Sequence, residues 1–133
     1  MADPDHFKGC RYLVVEDEYF IAADLSNTLE SLGIEVVGPA ASVQEALRLV
    51  DSDGDRLDGA VLDINLRDER VYSVADALKA RGVPFVFTTG YDAAVVPSPY
   101  TDAPRCEKPV DKARLLRCLA DARRAKRPAG GKI

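Results

Sequence analysis

The chain has 133 residues, of which 47% are hydrophobic, and its formal net charge is −4. This length fits one domain of common size, and no apolar stretch approaches the ~20 residues that a membrane-spanning helix needs. The polar, acidic N-terminus predicts no secretory signal peptide, so we expect a cytoplasmic protein with no membrane partner. The cysteines lack the spacing of a zinc site and are interpreted as reduced thiols: Cys10, Cys106 and Cys118, the last two packed in the core.

Basic residues gather near the C-terminus, at Arg123, Arg124, Lys126, Arg127 and Lys132. One interpretation is a nucleic-acid-binding arm. The other is a solvated helix end, where cations suit the helix dipole. A phosphate-binding footprint usually needs a larger basic surface, so the second interpretation is favoured and no direct DNA binding is expected.

Strand-like and helix-like patterns alternate along the chain. Short apolar runs predict strands at 12–15, 35–37, 60–63, 85–88 and 105–107. Amphipathic spacing predicts helices over about 19–32 and 72–80, and also after Ser42 and Asp111, which are suited to cap them. The stripe of the first helix is Ile21, Leu25, Leu29 and Leu32. This alternation predicts a parallel sheet with helices on both faces.

One stretch interrupts the alternation. Pro97, Pro99 and Pro104 lie between Gly90 and Arg105, where a crossover helix is expected. Proline removes a backbone donor and clashes with the preceding turn, so we predict a loop or at most one helical turn there. The whole chain is then one domain, 1–133, with a core at about 10–122 and flexible ends at 1–8 and 126–133.

Carboxylates follow two of the predicted strands, Glu16-Asp17 after the first and Asp63 at the end of the third. Ligands of open α/β sheets bind at the carboxyl ends of the strands. Acids meeting there would repel one another unless a hard cation lay among them. The fourth strand ends in Thr88-Thr89-Gly90 and the fifth at Lys108. The sequence therefore predicts a phosphate-and-metal site.

Four segments in this order resemble the CheY-like receiver domain of two-component response regulators: 14–18 (VVEDE), 61–66 (VLDINL), 87–91 (FTTGY) and 107–109 (EKP). The resemblance implies a (βα)5 flavodoxin-like fold, a three-layer sandwich with a central five-stranded parallel sheet. The prolines leave its fourth helix short or missing. Residues 87–91 are also similar to the motif of the FATGUY subgroup, which is associated with stand-alone receivers and with histidine kinases of the HWE type.

The resemblance also implies roles for the acids. Asp63 would be the phosphoacceptor for a sensor histidine kinase. Glu16, Asp17, Asp63 and the backbone carbonyl of Asn65 would hold Mg²⁺, which prefers oxygen ligands. Without a metal, Glu16 and Asp17 would be an acidic pair that stabilises the dipole of the first helix.

By the same resemblance, Lys108 would form an ion pair with the phosphoryl group or with Asp63, and Pro109 is a candidate for a cis peptide bond. Thr89 would donate a hydrogen bond to a phosphoryl oxygen. Thr88 is the alternative, and Thr89 is favoured because the small Gly90 follows it. Side chains alternate along a strand, so only one of the two can face the site.

The position three before Lys108 carries an aromatic switch residue in most receivers, and here it is Arg105. In most receivers the threonine moves and this aromatic side chain rotates inward, and that coupling is in doubt for a chain with arginine here. Arg105 itself, Tyr91, Tyr100 or a change of order in residues 91–104 would then carry the switch.

The sequence therefore predicts a stand-alone response regulator that acts through protein contacts, as a phosphate sink or as a phosphorylation-dependent dimer. It predicts no enzyme. A metal-dependent phosphohydrolase would need a second aspartate as general acid/base two residues after Asp63, and Asn65 stands there. A receiver-fold module that never takes phosphate is the other alternative.

Overall fold

The computed structural model describes residues 4–67, 69–90 and 96–126. In these ranges the strands and helices are β1 (Arg11–Val15), α1 (Tyr19–Ser31), β2 (Glu35–Ala40), α2 (Val43–Asp53), β3 (Gly59–Asp63), β4 (Asn65–Leu66), β5 (Glu69–Arg70), α3 (Tyr72–Ala80), β6 (Phe85–Thr89), β7 (Arg105–Glu107) and α4 (Lys112–Lys126). Five parallel strands form the central sheet in the order β2-β1-β3-β6-β7. The predicted flavodoxin-like fold is confirmed.

Alternating side chains divide the core between the two faces of the sheet. One face packs Val14, Val61 and Val86 against apolar residues of α1 and α4. The other face packs Leu62 and Phe87 against α2 and α3. Because the inner strands β1, β3 and β6 are covered on both sides, they are apolar along most of their length, as parallel strands usually are.

The predicted helix caps are present. The Ser42 hydroxyl accepts a hydrogen bond from the backbone N–H of Glu45 at 3.1 Å, and the Glu45 carboxylate accepts one from the backbone N–H of Ala41. Asp111 accepts from the backbone N–H of Arg114 at 2.7 Å. These side chains satisfy N–H groups that the first turn of a helix leaves without partners.

Two features of the core were not indicated by the sequence pattern. Within the segment 1–8, which is predicted to be flexible, Pro4–Phe7 form a 3-10 turn and Phe7 is only 1% exposed. Its ring packs edge-on against Tyr12 and lies under the Arg123 guanidinium, so α4 and β1 hold this segment in place. Ile21 was expected on the buried stripe of α1, but it is 37% exposed because the groove beside α1 is open.

The described part of the proline-rich stretch holds one 3-10 turn, Ser98–Tyr100, and no longer helix. The Tyr100 ring stacks on Tyr72 of α3 at 4.7 Å, and its hydroxyl donates to Asp76 at 2.6 Å. Lys79 adds a hydrogen bond from its ammonium group to the carbonyl of Pro99. We call these contacts the tyrosine clasp.

Within the described ranges, none of the helices combines the length and apolar character needed to cross a bilayer. Tyr91 and residues 1–3 and 127–133, which belong to the predicted switch and ends, lie outside those ranges.

Candidate phosphate-and-metal site

The polar side chains predicted to meet do so at the carboxyl edge of the sheet. Glu16 directly follows β1, Asp63 ends β3 and Lys108 directly follows β7. One carboxylate oxygen from each of Glu16, Asp17 and Asp63 lies within 4.8 Å of the other two. The strand order explains this meeting, because β1 and β3 are neighbours and β6 alone separates β3 from β7.

Lys108 joins two of these carboxylates. Its Nζ lies 2.8 Å from Oε1 of Glu16 and 3.1 Å from Oδ2 of Asp63. The backbone N–H of Lys108 donates to the carbonyl of Thr89 at 2.8 Å, which ties the residue to the end of β6. The Lys108-Pro109 bond is cis, as the family resemblance implied.

Asp63 is held by contacts to both of its carboxylate oxygens. Oδ1 accepts a hydrogen bond from the backbone N–H of Asn65 at 3.1 Å, and Oδ2 faces Lys108. The residue is only 4% exposed. The carboxylate is therefore buried and fixed in orientation by these contacts.

Asp17 makes a contact that the sequence did not indicate. Its Oδ2 accepts a hydrogen bond from the backbone N–H of Arg67 at 2.9 Å and lies 3.8 Å from the Arg67 Nε. Arg67 belongs to the connection between β4 and β5, an antiparallel pair that the sequence analysis missed. Residues 65–70 have weak strand propensity, because all of them except Leu66 are polar.

Burial dominates the electrostatics of Glu16, which is 2% exposed. Desolvation raises its pKa to about 7, although hydrogen bonding to Lys108 and to the backbone of Glu18 opposes the rise. Desolvation would lower the pKa of Lys108, but the adjoining Glu16 and Asp63 outweigh it and the pKa is raised. The lysine is thus kept charged between two acids.

The two threonines at the end of β6 differ in surroundings. Thr88 pairs in register with Asp63, and its buried hydroxyl oxygen has no hydrogen-bond partner among the described residues. Thr89 pairs with Glu107, and strand alternation puts its side chain on the face of Phe87. Which hydroxyl would contact a phosphoryl group therefore stays a prediction.

The donor set fits Mg²⁺. All three clustered side chains are carboxylates, the hard oxygen ligands that this ion prefers, and Lys108 supplies the cluster with one compensating positive charge. The carboxylates outnumber this lysine, so the cluster keeps negative charge that a divalent cation would neutralise. The part of the Asn65 carbonyl in such a site stays a prediction.

An open groove of about 710 Å³ begins beside Lys108 and Thr88 and continues along α1, past Phe20, Ile21 and Leu25. Phe20, which lines the groove, is 77% exposed, and the Tyr19 ring that contacts it is on a residue that is 75% exposed. Arg105, at the usual aromatic switch position, is exposed on β7 rather than packed toward the cluster.

No protein-family model matches the sequence. The solution structure of SdrG from Sphingomonas melonis Fr1 is similar, with 40% identity, a TM-score of 0.77, and coverage of 85% of this chain and 95% of SdrG. The BeF3-activated SdrG structure gives 40% identity, a TM-score of 0.70, and coverage of 84% and 93%.

Among curated proteins, the phyllosphere-induced regulator PhyR of Methylorubrum extorquens is 38% identical over 81 residues. These are 59% of this chain but only 30% of PhyR, so the match spans less than a third of that longer protein. A response regulator receiver domain from Clostridium thermocellum, 23% identical, shares the fold with a TM-score of 0.75 over 88% of this chain and 96% of its own.

This chain matches 95% of the SdrG chain at 40% identity, and the two structures share the fold. The chain belongs to the receiver domain family of response regulators.

Proposed function

We propose that this chain is a stand-alone receiver that takes a phosphoryl group from a sensor histidine kinase onto Asp63. The observation that carries the proposal is Lys108, whose ammonium group bridges Glu16 and Asp63 within 3.1 Å while Asp17 completes the acidic cluster. A carboxylate is a weak nucleophile, so its reaction depends on positioning and on neutralising charge. This arrangement supplies both.

In the proposed transfer, an oxygen of Asp63 bonds to phosphorus as the bond from phosphorus to the kinase imidazole breaks. The N–H of Asn65 and the ammonium group of Lys108 orient the carboxylate before the transfer. Afterwards Lys108 pairs with the new phosphoryl oxygens, and a threonine hydroxyl of β6 donates to one of them. Mg²⁺ held by Glu16, Asp17, Asp63 and the Asn65 carbonyl would neutralise charge on the phosphoryl group.

The groove along α1 is the proposed contact for the kinase. It opens beside Lys108 and is lined by Phe20, whose exposed ring contacts the exposed Tyr19; aromatic side chains of this kind are enriched at protein interfaces. The motif at 87–91 supports the FATGUY subgroup and hence a kinase of the HWE type. The same kinase implies a cytoplasmic location.

SdrG supports activation by a phosphoryl group, because it has a BeF3-activated conformation and is 40% identical to this chain. We extend that response to this chain, with output by contact with a downstream protein, by a phosphorylation-dependent dimer or by withdrawal of phosphate. The proposal includes no direct contact with DNA.

The test is intact-mass analysis after incubation with acetyl phosphate and Mg²⁺. We expect the addition of one phosphoryl group, lost on removal of Mg²⁺ and in Asp63→Ala. A matched control is Asp55→Asn, which changes an exposed aspartate before β3, at the opposite edge of the sheet. This variant should be labelled like the parent protein.

Two other results would assign different functions. Continued release of phosphate over many turnovers, without stable labelling, would indicate a phosphohydrolase, which the Asn65 amide makes unexpected because it cannot exchange a proton as a general acid/base. Absence of labelling in a folded protein that is saturated with Mg²⁺ would indicate a receiver-fold module that works without phosphate.

A further inference from the structure

Two cysteines that have no part in the phosphate-and-metal site lie against each other in the core. Cys106 is on β7, Cys118 is on α4, and their Sγ atoms are 2.6 Å apart. Cys106 is fully buried and Cys118 is 9% exposed. A disulfide has an S–S length of about 2.0 Å, so the two sulfur atoms are already close to bonding distance.

The surroundings of this pair favour chemistry between the two thiols over metal binding. The further contacts of the sulfur atoms are long ones to main-chain carbonyls, from Cys106 to Arg114 and from Cys118 to Arg105, both 3.8 Å. Within the described ranges, no third histidine, cysteine or carboxylate joins them at ligand distance, because the acidic cluster at the strand ends is the one such group found there. A structural zinc site needs four ligands.

We propose that Cys106 and Cys118 are a dithiol that hydrogen peroxide oxidises to an intrachain disulfide between β7 and α4. Two thiols are oxidised and one peroxide is reduced to two waters. In the first step the sulfur of Cys118 attacks one peroxide oxygen, the O–O bond breaks, and a sulfenic acid and water form. In the second step the sulfur of Cys106 attacks that of Cys118, the S–O bond breaks, and the hydroxide leaves as water with the Cys106 proton.

The order of these steps follows from exposure. Peroxide reacts with the thiolate, and a buried thiol resists ionisation. Burial, together with the adjacent Cys118, raises the pKa of Cys106. Cys118 is the one with access to solvent, so it is oxidised first and Cys106 resolves the sulfenic acid.

The disulfide would restrict the motion of the segment that carries Lys108. It would close a ring from residue 106 to residue 118, and Lys108 and Asp111, the cap of α4, lie inside that ring. Cross-links stabilise mainly by restricting the unfolded chain. We therefore expect the oxidised protein to unfold at a higher denaturant concentration and to exchange the amides of 106–118 more slowly.

The experiment uses the full chain with Cys10→Ser, which removes the half-buried third thiol and leaves the pair as it is. The protein is treated with hydrogen peroxide at a concentration that fully oxidises free cysteine in a parallel sample. We expect the intact mass to fall by two hydrogens, peptide mapping to join 106 to 118, and dithiothreitol to restore both thiols. In the same background, Cys118→Ser should give no loss of hydrogen.

Three results would overturn the proposal: gain of oxygen without an intrachain bond, a disulfide between two copies, or both thiols remaining free. The parent chain is oxidised and mapped in the same way, as a control for misfolding of the variants. Its disulfide should also join Cys106 to Cys118, and its Cys10 should remain unpaired. None of these results depends on phosphorylation.

Discussion

The single positive charge of Lys108 forms ion pairs with two buried acids. Its ammonium group lies 2.8 Å from Glu16 and 3.1 Å from Asp63, and its side chain is only 18% exposed. A buried charge is tolerated when it is paired, and removing one partner is costly. The same lysine that would later pair with phosphate therefore holds the acids together beforehand.

Glu16 should give the protein a pH-dependent stability when Mg²⁺ is absent. Burial raises its pKa from 4.5 to about 7, so the folded state binds this proton more tightly than the unfolded state does. Its contribution is complete below pH 4.5 and is lost as the pH rises toward 7, with a total on the order of 3 kcal/mol. Chemical denaturation from pH 4 to 8 should show the loss in the parent protein and not in Glu16→Gln.

The stability difference between the parent and this variant should change only between pH 4.5 and 7 and stay level above that range. Parallel profiles throughout would mean that Glu16 ionises normally.

The roles of the adjacent Thr88 and Thr89 can be distinguished by replacing each with the isosteric valine. Thr88→Val removes a buried hydroxyl whose oxygen has no partner in the part of the chain that the structure describes, so we expect it to raise the free energy of unfolding by about 1 kcal/mol and to leave the response to beryllofluoride intact. Thr89→Val should weaken that response, measured by amide chemical shifts in the presence of Mg²⁺. The opposite pattern would assign the phosphoryl contact to Thr88.

At the scale of elements, the tyrosine clasp takes the place of packing that a fourth crossover helix would supply. Tyr72 stacks on Tyr100 and also meets the edge of Phe87 at 6.0 Å. Phe87 lies on β6, one residue before Thr88 and two before Thr89. A row of rings thus extends from the end of β6 to the proline-rich stretch.

Tyr100→Phe should keep the stack and lose the hydrogen bond to Asp76, at a cost of about 1 kcal/mol or less because the contact is exposed. The hydrogen bond raises the pKa of Tyr100, since the phenolate could not donate and would face a carboxylate. Its stabilisation is therefore present at neutral pH and lost as the pH rises above 10. The difference between parent and variant in urea should be seen at pH 8 and shrink as the pH rises above 10.

Asp76→Asn is the control, because it keeps an acceptor for the Tyr100 hydroxyl and removes the negative charge. It should lower the pH at which the difference vanishes. Equal stability of the parent and Tyr100→Phe at pH 8 would show that the hydroxyl contributes nothing through this bond.

At the scale of the whole molecule, Mg²⁺ should stabilise the fold by binding it and not the unfolded chain. At ten times the dissociation constant the gain is about 1.4 kcal/mol, or roughly 4–6 °C in Tm for a domain of this size. Asp17→Asn removes one of the three clustered carboxylates and should lose most of the shift. The shift is measured as the difference in Tm of each protein with and without Mg²⁺.

An exposed aspartate offers the control for that experiment. Asp51→Asn, on α2 outside the acidic cluster, should show the parent's shift. Equal shifts in all three proteins would mean that the ion binds elsewhere.

Much of this organisation could be predicted from local sequence pattern. Five strands, the caps at Ser42 and Asp111, and the meeting of Glu16, Asp17, Asp63 and Lys108 follow from hydrophobic period and from the rule that strand ends share an edge. A one-residue choice such as Thr88 or Thr89 could not be derived from the pattern, because it depends on the register between β3 and β6.

Contacts between distant segments were also beyond the sequence. Arg67 reaches Asp17 over fifty residues, and Cys106 meets Cys118 only because α4 packs back on β7. Phe7 lies in a polar segment, and its burial under Arg123 depends on where the end of α4 passes. None of these leaves a periodic signal.

The outer strands of the central sheet have a consequence for the protein in concentrated solution. β2 carries Pro39, which has no N–H to offer, and β7 is three residues long with Arg105 and Glu107 exposed. Proline, short length and charge are the features that keep bare strand edges from templating fibrils. Concentrating this protein should therefore not lead copies to join strand to strand at either edge of the sheet.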